Sequence, residues 1–266
     1  LSIEEKNKAF KKWKGDNFVY KSFSKILHKK IVELKPEFTN VLLISSDLNE
    51  TIDEISKIKC KNLIYLSQYK IFKKEFFKNK SYNVIYADFD DLPFKKKSFD
   101  LVISNFCTNK VLEKKNYLKK ILDILTDDGL FLCNFFGEQT LRELRQCFFV
   151  ADDRFLSGAF NRIPKVDLMA DFSNLLAEVG YNEIVTEKVN FDIFYKSIIG
   201  ILKDIKNMGE KIPIIEKKEK ISKTYINFLN KIYIKEFANQ NRQLKVTLDI
   251  ISISSWKQLK NNSKNQ

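Results

Sequence analysis

The chain has 266 residues, 44% of them hydrophobic and 30% charged, and its formal net charge is +13. This balance is typical of a folded domain with a sizeable core and excludes a largely disordered chain. No apolar run approaches the roughly 20 residues that cross a bilayer. One histidine, His28, and four scattered cysteines exclude His-dependent triads, multi-histidine metal sites and a disulfide framework. We expect a cytoplasmic protein, or one of a matrix-like compartment if a segment precedes Leu1.

The positive charge is spread along the whole chain rather than gathered in one stripe. The sequence also has no aromatic ribonucleoprotein motif, zinc finger or basic zipper. RNA binding is therefore the weakest interpretation. Saturable binding of RNA, with a steep loss of affinity at high salt, would be needed to support this interpretation.

The first part of the chain alternates helical and extended patterns. Helical spacing predicts N-terminal helices over 3–12 and 18–34, the second ended by Pro36. Short apolar runs predict buried strands, and helical patterns separate most of them. The predicted strands are 41–45, 62–66, 83–86, 99–104 and 130–135, and the predicted helices are 50–58, 69–78 and 110–125. A turn at 126–129 is expected to lead into the fifth strand.

Beyond residue 135 the pattern predicts further helices and two more strands. The helices are expected at 138–151, 167–179, 195–207 and 214–238, and the strands near 183–191 and 244–254. The regular alternation predicts an α/β fold with a mostly parallel seven-stranded sheet, wound on both faces. The last strand is suited to form a hairpin with its predecessor.

Ligands of open α/β sheets bind at the carboxyl ends of the strands, so the loops that follow the strands are the candidate site. The loop after the first strand, 45–50, has no glycine to let the backbone approach a nucleotide-type ligand. The end of the second strand, 65–68, has no carboxylate. Asp88 directly follows the third strand and is suited to accept from an adenine amino group, with Phe89 beside it. Alternatively, Asp88 caps a turn.

Four of the five arginines lie within twenty-one residues of an otherwise lysine-rich chain: Arg142, Arg145, Arg154 and Arg162. An arginine fork matches a carboxylate or a phosphate in two-pronged geometry, which lysine does not. One interpretation is a binding surface for an acidic group of a substrate or partner. The other is pairing on the helix surface with Glu138, Glu143, Asp152 and Asp153.

Several of these segments resemble a known family. The stretch ADFDDLPFKKKSFDLVISN, from Ala87 to Asn105, resembles the adenine-side motif and fourth strand of class I S-adenosylmethionine (SAM) methyltransferases. The stretch FGEQTLRELR, from Phe136 to Arg145, resembles the segment after the fifth strand in the malonyl-carrier-protein methyltransferases and, more closely, in the assembly factor of respiratory complex I. Further segments resemble that branch: Asp153-Arg154, the loop 158–164, 207–210 and Ser255-Trp256-Lys257. The resemblance covers roughly residues 82 to 257.

The resemblance implies the Rossmann-like class I methyltransferase fold in one domain, 1–266. We expect N-terminal helices at 1–36, the Rossmann-like core at 37–191, a helical insertion at 192–243, the last strand at 244–257 and a disordered tail at 258–266. It also implies SAM as cofactor, with Ser45, Asp47, Asp88, Phe89 and Asn105 as its binding residues. The four clustered arginines would face a protein partner, and a respiratory-chain subunit is one candidate for that partner. The resemblance identifies no catalytic residue and no metal ligand.

The sequence departs from the family at three places. Residues 45–49 replace the glycine-rich loop, Tyr65 stands where the ribose-binding acid is expected, and Asn109-Lys110 replaces a His-Trp pair. Two functions follow. The first is a SAM-dependent methyltransferase-family protein with a degenerate cofactor loop that acts on or assists a protein partner. The second is a catalytically inactive or differently catalytic assembly factor that uses the fold as a binding surface.

Overall fold

The computed structural model describes residues 18–45, 47, 50–68, 82–158, 160, 162–163, 166–207 and 222–258. The helices predicted at 3–12 and 69–78, the first residues of the helix predicted at 214–238, and the tail beyond 258 lie outside this range.

Seven α-helices and seven strands lie within the described residues. The helices are α1 (Phe18–Leu34), α2 (Glu50–Ile55), α3 (Lys114–Ile124), α4 (Arg142–Leu156), α5 (Met169–Val179), α6 (Ile198–Asn207) and α7 (Lys223–Phe237). The strands are β1 (Phe38–Ser45), β2 (Cys60–Ser67), β3 (Asn83–Tyr86), β4 (Phe99–Asn105), β5 (Leu125–Phe136), β6 (Tyr181–Tyr195) and β7 (Leu244–Lys257).

The strands form one sheet in the order β3-β2-β1-β4-β5-β7-β6. β1 pairs in parallel with both β2 and β4, β2 pairs in parallel with β3, and β4 pairs in parallel with β5. Strand order reverses at β1, where the chain crosses from one side of the sheet to the other. The seven-stranded, mostly parallel sheet with flanking helices confirms the predicted fold class.

The central strands are buried because both faces of the sheet are covered. Val41, Leu42, Leu43 and Ile44 of β1 are fully buried. A continuous apolar run is the expected sequence of a strand covered on both faces. In contrast, β6 alternates between half-buried and exposed positions, as an edge strand does.

The turn predicted at 126–129 was wrong in one respect, because β5 already begins at Leu125. Leu125 pairs with Phe99 and Leu130 pairs with Leu101, so the intervening residues form an irregularity within the strand. Asp128 adopts φ 58° there. The Thr-Asp-Asp-Gly composition that suggests a turn therefore marks a bulge, which also needs a left-handed residue.

The chain divides into two compact units. The core unit contains the described residues up to Phe135, together with 169–187 and 251–258. The second unit contains 136–168 and 188–250. None of the described helices is long and apolar enough to span a membrane.

Two lysine side chains join separate elements of the core unit by hydrogen bonds. Lys30 of α1 donates to Glu187 Oε2 at 2.9 Å and to Ser252 Oγ at 3.1 Å, which ties the first helix to β6 and β7. Lys257 donates to the carbonyls of Leu122 and Leu125 at 2.8 and 2.6 Å. A cation at the carboxyl end of a helix satisfies its last carbonyls and favours its dipole. Lys257 of the Ser-Trp-Lys motif therefore caps α3.

Candidate functional site

Asp47 lies just after the carboxyl end of β1 and contacts the start of α2. Asp47 Oδ2 accepts from the backbone amide of Thr51 at 2.7 Å, at the start of α2. Ser45 Oγ donates to the other carboxylate oxygen of Asp47. Both side chains are buried, with exposed fractions of 0% and 2%. The carboxylate thus serves the amino end of the short helix, where a negative charge is favourable.

Asn105, at the end of β4, joins the same cluster from the neighbouring strand. Its register partners are Ser45 on β1 and Asn134 on β5. Its Nδ2 donates to Thr51 Oγ1 at 2.8 Å and to Ser45 Oγ at 3.3 Å, and its Oδ1 accepts from Asn134 Nδ2 at 3.2 Å. We call Ser45, Asp47, Thr51, Asn105 and Asn134 the strand-end network; all five are buried.

Tyr65, at the end of β2, closes the network on the side expected to bind ribose. Its hydroxyl donates to the backbone carbonyl of Asp47 at 2.9 Å, and its side chain is 2% exposed. Burial, reinforced by the charge of Asp47, raises the pKa of the Tyr65 phenol well above its ordinary value. The hydroxyl therefore stays protonated and keeps its donor role.

The first helix also contributes to this end of the sheet. Ser24 of α1 donates to Thr51 Oγ1 at 3.2 Å. The rings of Tyr20 and Phe23 contact Phe106, which follows β4, at centroid distances of 5.0 and 5.6 Å. Phe106 holds φ 54°, a conformation that an aromatic residue rarely adopts without tight packing. α1 thus packs aromatic rings against the loop after β4.

Asp88 lies on the loop after β3, and its side chain is exposed. Its Oδ1 accepts from the backbone amide of Asp90 and from Gln68 Nε2, both at 3.0 Å. Phe89 is completely buried and belongs to the hydrophobic core. The contacts of Asp88 agree with the alternative in which it caps a turn, and Phe89 packs in the core.

The structure gives each of the four clustered arginines a different neighbour. Arg162 pairs with Asp152, and the contacts are 2.6 to 2.8 Å. Arg145 donates to the carbonyls of Glu138 and Thr140 at 3.1 and 3.4 Å. Arg154 lies over the ring of Phe228, 4.9 Å from its centroid, and Arg142 Nε contacts Glu143 Oε1 at 3.2 Å. The pairing interpretation therefore describes Arg142 and Arg162, which contact two of the acids it named.

The ion pair of Arg162 and Asp152 is buried, at 5% and 0% side-chain exposure. Tyr225 of α7 donates to Asp152 Oδ1 at 2.5 Å, and the guanidinium lies 5.4 to 5.7 Å from the rings of Phe148, Phe160 and Tyr225. A buried charge needs a partner and further hydrogen bonds. Arg162 thus holds the segment after α4 against α4 and α7.

The motif that begins at Phe136 fastens α4 to β7. The Gly137 amide donates to the Asp249 carbonyl at 2.7 Å, and the Gln139 amide donates to Asp249 Oδ2 at 3.1 Å. A Cβ on Gly137 would lie 2.6 Å from Asp249 Oδ2, so a larger residue would displace this carboxylate. Further along, the buried Glu143 accepts from the amide and the hydroxyl of Thr247 at 3.0 and 2.5 Å.

A cavity of about 580 Å³ lies within the second unit. Its lining combines charged and aromatic side chains from α4, β6, the end of α7 and β7: Arg142, Glu143, Gln146, Phe194, Glu236, Phe237, Ala238, Asn239 and Lys245. Lys245 pairs with Asp192 at 2.7 Å, and this contact lowers the Asp192 pKa. Of the four clustered arginines, Arg142 is the one that lines this cavity.

The sequence reasoning missed three members of these clusters. Thr51 and Asn134 complete the strand-end network, and Asp249 anchors the glycine turn at 137. The signal for Asn134 was available, because an asparagine inside the apolar run 130–135 needs a hydrogen-bond partner. Asp249 gives the same signal inside the predicted strand 244–254, but its partner lies more than a hundred residues away in sequence and could not be named.

Comparison with known proteins gives the same class of fold. A model of the methyltransferase domain family matches residues 60–133. The mitochondrial arginine-hydroxylase NDUFAF5 of Danio rerio is 26% identical over 173 residues, which cover 65% of this chain and 54% of that protein. The malonyl-(acyl-carrier protein) O-methyltransferase of Nitrosospira multiformis is 32% identical over 127 residues, covering 46% of this chain and 38% of that protein.

Among solved structures, the YcgJ protein from Bacillus subtilis has a TM-score of 0.60 at 16% identity, over 90% of this chain and 99% of that one. The fold, the matched methyltransferase domain and these likenesses agree. The chain has the class I SAM-dependent methyltransferase fold, and residues 60–133 are similar to the methyltransferase domain family. The human mitochondrial arginine-hydroxylase NDUFAF5 is 27% identical over 173 residues, which cover 65% of this chain and 50% of that protein. This chain spans about half the length of the arginine-hydroxylase relatives.

Proposed function

We propose that this protein uses the methyltransferase fold as a protein-binding scaffold, in the manner of an assembly factor, and does not transfer methyl groups. The observation that carries the proposal is the strand-end network, in which Asp47, Asn105 and their neighbours hydrogen-bond to one another. These are the side chains that a bound cofactor would need.

The donor set does not fit SAM. The loop after β1 has no glycine, and the position for the ribose-binding acid holds a tyrosine whose hydroxyl already donates to Asp47. A ligand that entered here would have to break bonds within a buried cluster. Each buried polar group left without a partner costs about 1–3 kcal/mol. Opening several of them together would offset most of the binding free energy of a micromolar ligand, about 8 kcal/mol.

A SAM-dependent methyltransferase is the second candidate. Asp88 favours it, because this exposed carboxylate directly follows β3, as the adenine contact of the superfamily is expected to do. Methyl transfer needs mainly positioning of donor and acceptor, so the lack of an identified general base does not decide against it. The glycine-free loop and Tyr65 favour the scaffold instead.

The relatives suggest the kind of partner and the compartment. Relatives of this chain from Danio rerio and Mus musculus are named as mitochondrial arginine hydroxylases. We infer that the partner is a protein, for which a respiratory-chain subunit is one candidate. We also infer that the chain works in a matrix-like compartment. The charge of +13 agrees with an acidic partner surface.

The proposal is tested by deleting the gene for this protein in its own organism and resolving the respiratory complexes of the deletion strain on native gels. We expect an assembly defect that the wild-type chain and the Asp88→Ala variant restore equally. Failure of Asp88→Ala to restore assembly, with normal protein levels, would establish the second candidate instead. Unaltered complexes in the deletion strain would refute the assembly role.

A further inference from the structure

The cavity in the second unit has the volume of a ligand site. Its volume of about 580 Å³ lies within the range of roughly 300–1,000 Å³ that small-molecule sites occupy. Phe194 and Phe237 provide apolar surface, and Arg142 and Gln146 provide polar groups. Six of the nine lining residues are polar or charged, so polar contacts would fix a ligand's orientation and the two rings would hold its apolar part.

Arg142 presents an oriented, unused fork at this cavity. Its Nε contacts Glu143 Oε1 at 3.2 Å, and Glu143 is fixed in turn by the amide and hydroxyl of Thr247. The terminal guanidinium nitrogens have no acceptor among the residues that the structure describes. The side-chain amide of Gln146, one helical turn along α4, has no partner in the described chain either. These groups together offer hydrogen-bond donors for an acceptor ligand.

The carboxylates near the cavity are mostly occupied. Glu143 accepts from Thr247 and Arg142, and Asp192 accepts from Lys245 at 2.7 Å and from Thr247 at 3.3 Å. Glu236 lines the cavity as well, but it pairs with Lys235 at 3.2 Å. Of the two cations in the lining, Lys245 pairs with Asp192, and Arg142 pairs with Glu143 through Nε only, which leaves its terminal nitrogens for a further acceptor.

We propose that this cavity binds a carboxylate carried on an apolar stem. The carboxylate pairs with the Arg142 fork, and the stem packs between Phe194 and Phe237. Such a group is supplied either by the carboxyl terminus of a protein or by an acidic side chain next to an apolar residue. This site rests on the proposed scaffold function in one respect: it names the chemical group of the partner that the scaffold binds.

The test is calorimetric titration of the full chain with N-acetylphenylalanine, with its neutral amide as the matched probe. We expect the carboxylate to bind in the millimolar range or tighter, and the amide to bind at least tenfold more weakly. Arg142→Gln should weaken carboxylate binding at least tenfold. Arg142→Lys, which keeps the charge but lacks the fork, should weaken it at least threefold.

The control variant is Lys231→Gln, which removes one positive charge from an exposed position on α7 away from the lining. It should leave affinity within twofold. Equal binding of acid and amide, no binding at ten millimolar probe, or an Arg142→Gln variant that binds like wild type would each overturn the proposal. Loss of binding in Glu236→Gln but not in Arg142→Gln would show a site for cations and overturn it too.

Two peptides distinguish the sources of the carboxylate. One ends in a free phenylalanine carboxylate, and the other carries Asp-Phe with an amidated end. Whichever source is correct, one peptide should bind and should lose at least tenfold in Arg142→Gln. Binding of neither would overturn the proposal. The residues expected to bind SAM lie in the core unit, and the cavity lies in the second unit. The result of a SAM titration therefore does not change the carboxylate binding that we expect at the cavity.

Discussion

The Tyr65 hydroxyl donates to the Asp47 carbonyl at 2.9 Å, and this bond joins the end of β2 to the turn after β1. In a parallel sheet these two strand ends are the place where a nucleotide-type ligand is held. Here the protein's own side chains connect them. The cofactor position and the stability of the core unit are therefore linked.

Tyr65→Phe keeps the buried ring and removes only the hydroxyl. We expect a loss of about 1–2 kcal/mol in the free energy of unfolding, because the Asp47 carbonyl loses its buried donor. Urea denaturation measures it. Tyr233→Phe is the matched control, since its hydroxyl donates to the Lys245 carbonyl at 2.7 Å and should contribute similarly. A Tyr65→Phe protein as stable as wild type would show that the bond does not stabilise this turn.

Arg162→Lys keeps the positive charge but loses the two-pronged contact with Asp152 and the flat packing against three rings. We expect a loss of about 1.5–3 kcal/mol in unfolding free energy, the range for hydrogen bonds to charged groups. Arg154→Lys should change it by less than about 0.5 kcal/mol, because the contact of Arg154 within the described part of the chain is with the Phe228 ring. Equal effects of the two substitutions in denaturant titrations would contradict the structural role of Arg162.

Gly137→Ala should destabilise the protein by about 1–3 kcal/mol, because the added Cβ would overlap the Asp249 carboxylate. In the Asp249→Ala background the same change should cost less, so the two substitutions should be non-additive in unfolding free energy. Gly158→Ala is the control, with no atom within 4 Å of its added Cβ. Additive effects at 137 and 249 would mean that the close approach is absent in solution.

The buried tyrosine hydroxyls make the free energy of unfolding fall at alkaline pH. Burial raises the pKa values of Tyr65, Tyr117 and Tyr181 well above the ordinary value of 10.0. The unfolded chain therefore loses these protons first, and stability falls as pH rises above about 10. Tyr117→Phe should flatten the decline measured by urea titrations between pH 9 and 11. An unchanged slope would show that Tyr117 ionises equally in both states.

Most of the fold was predictable from the sequence, because burial on both faces leaves continuous apolar runs. The run from Val41 to Ser45 lies within β1, and Leu34-Lys35-Pro36 marks the end of α1 at Leu34. The start of β5 was not predicted, since Thr126 to Gly129 has the composition of both a turn and a bulge. The predicted single domain over 1–266, with its five regions, remains a prediction.

The candidate site was predicted in position but not in its connections. Ser45, Asp47 and Asn105 do lie together, as strand ends in register must. Their mutual hydrogen bonds depend on side-chain directions and on Thr51 and Asn134, which periodicity does not reveal. Whether any of these residues binds a cofactor remains a prediction that titration has to decide.

The central claim is that the protein's own side chains fill the SAM position. The most direct test is calorimetric titration of the full chain with SAM and S-adenosylhomocysteine, beside an Asp88→Ala variant. We predict no binding heat and no shift in Tm at millimolar ligand for either protein. Micromolar binding that Asp88→Ala weakens tenfold or more, about 1.4 kcal/mol, would contradict the claim and establish a working cofactor site.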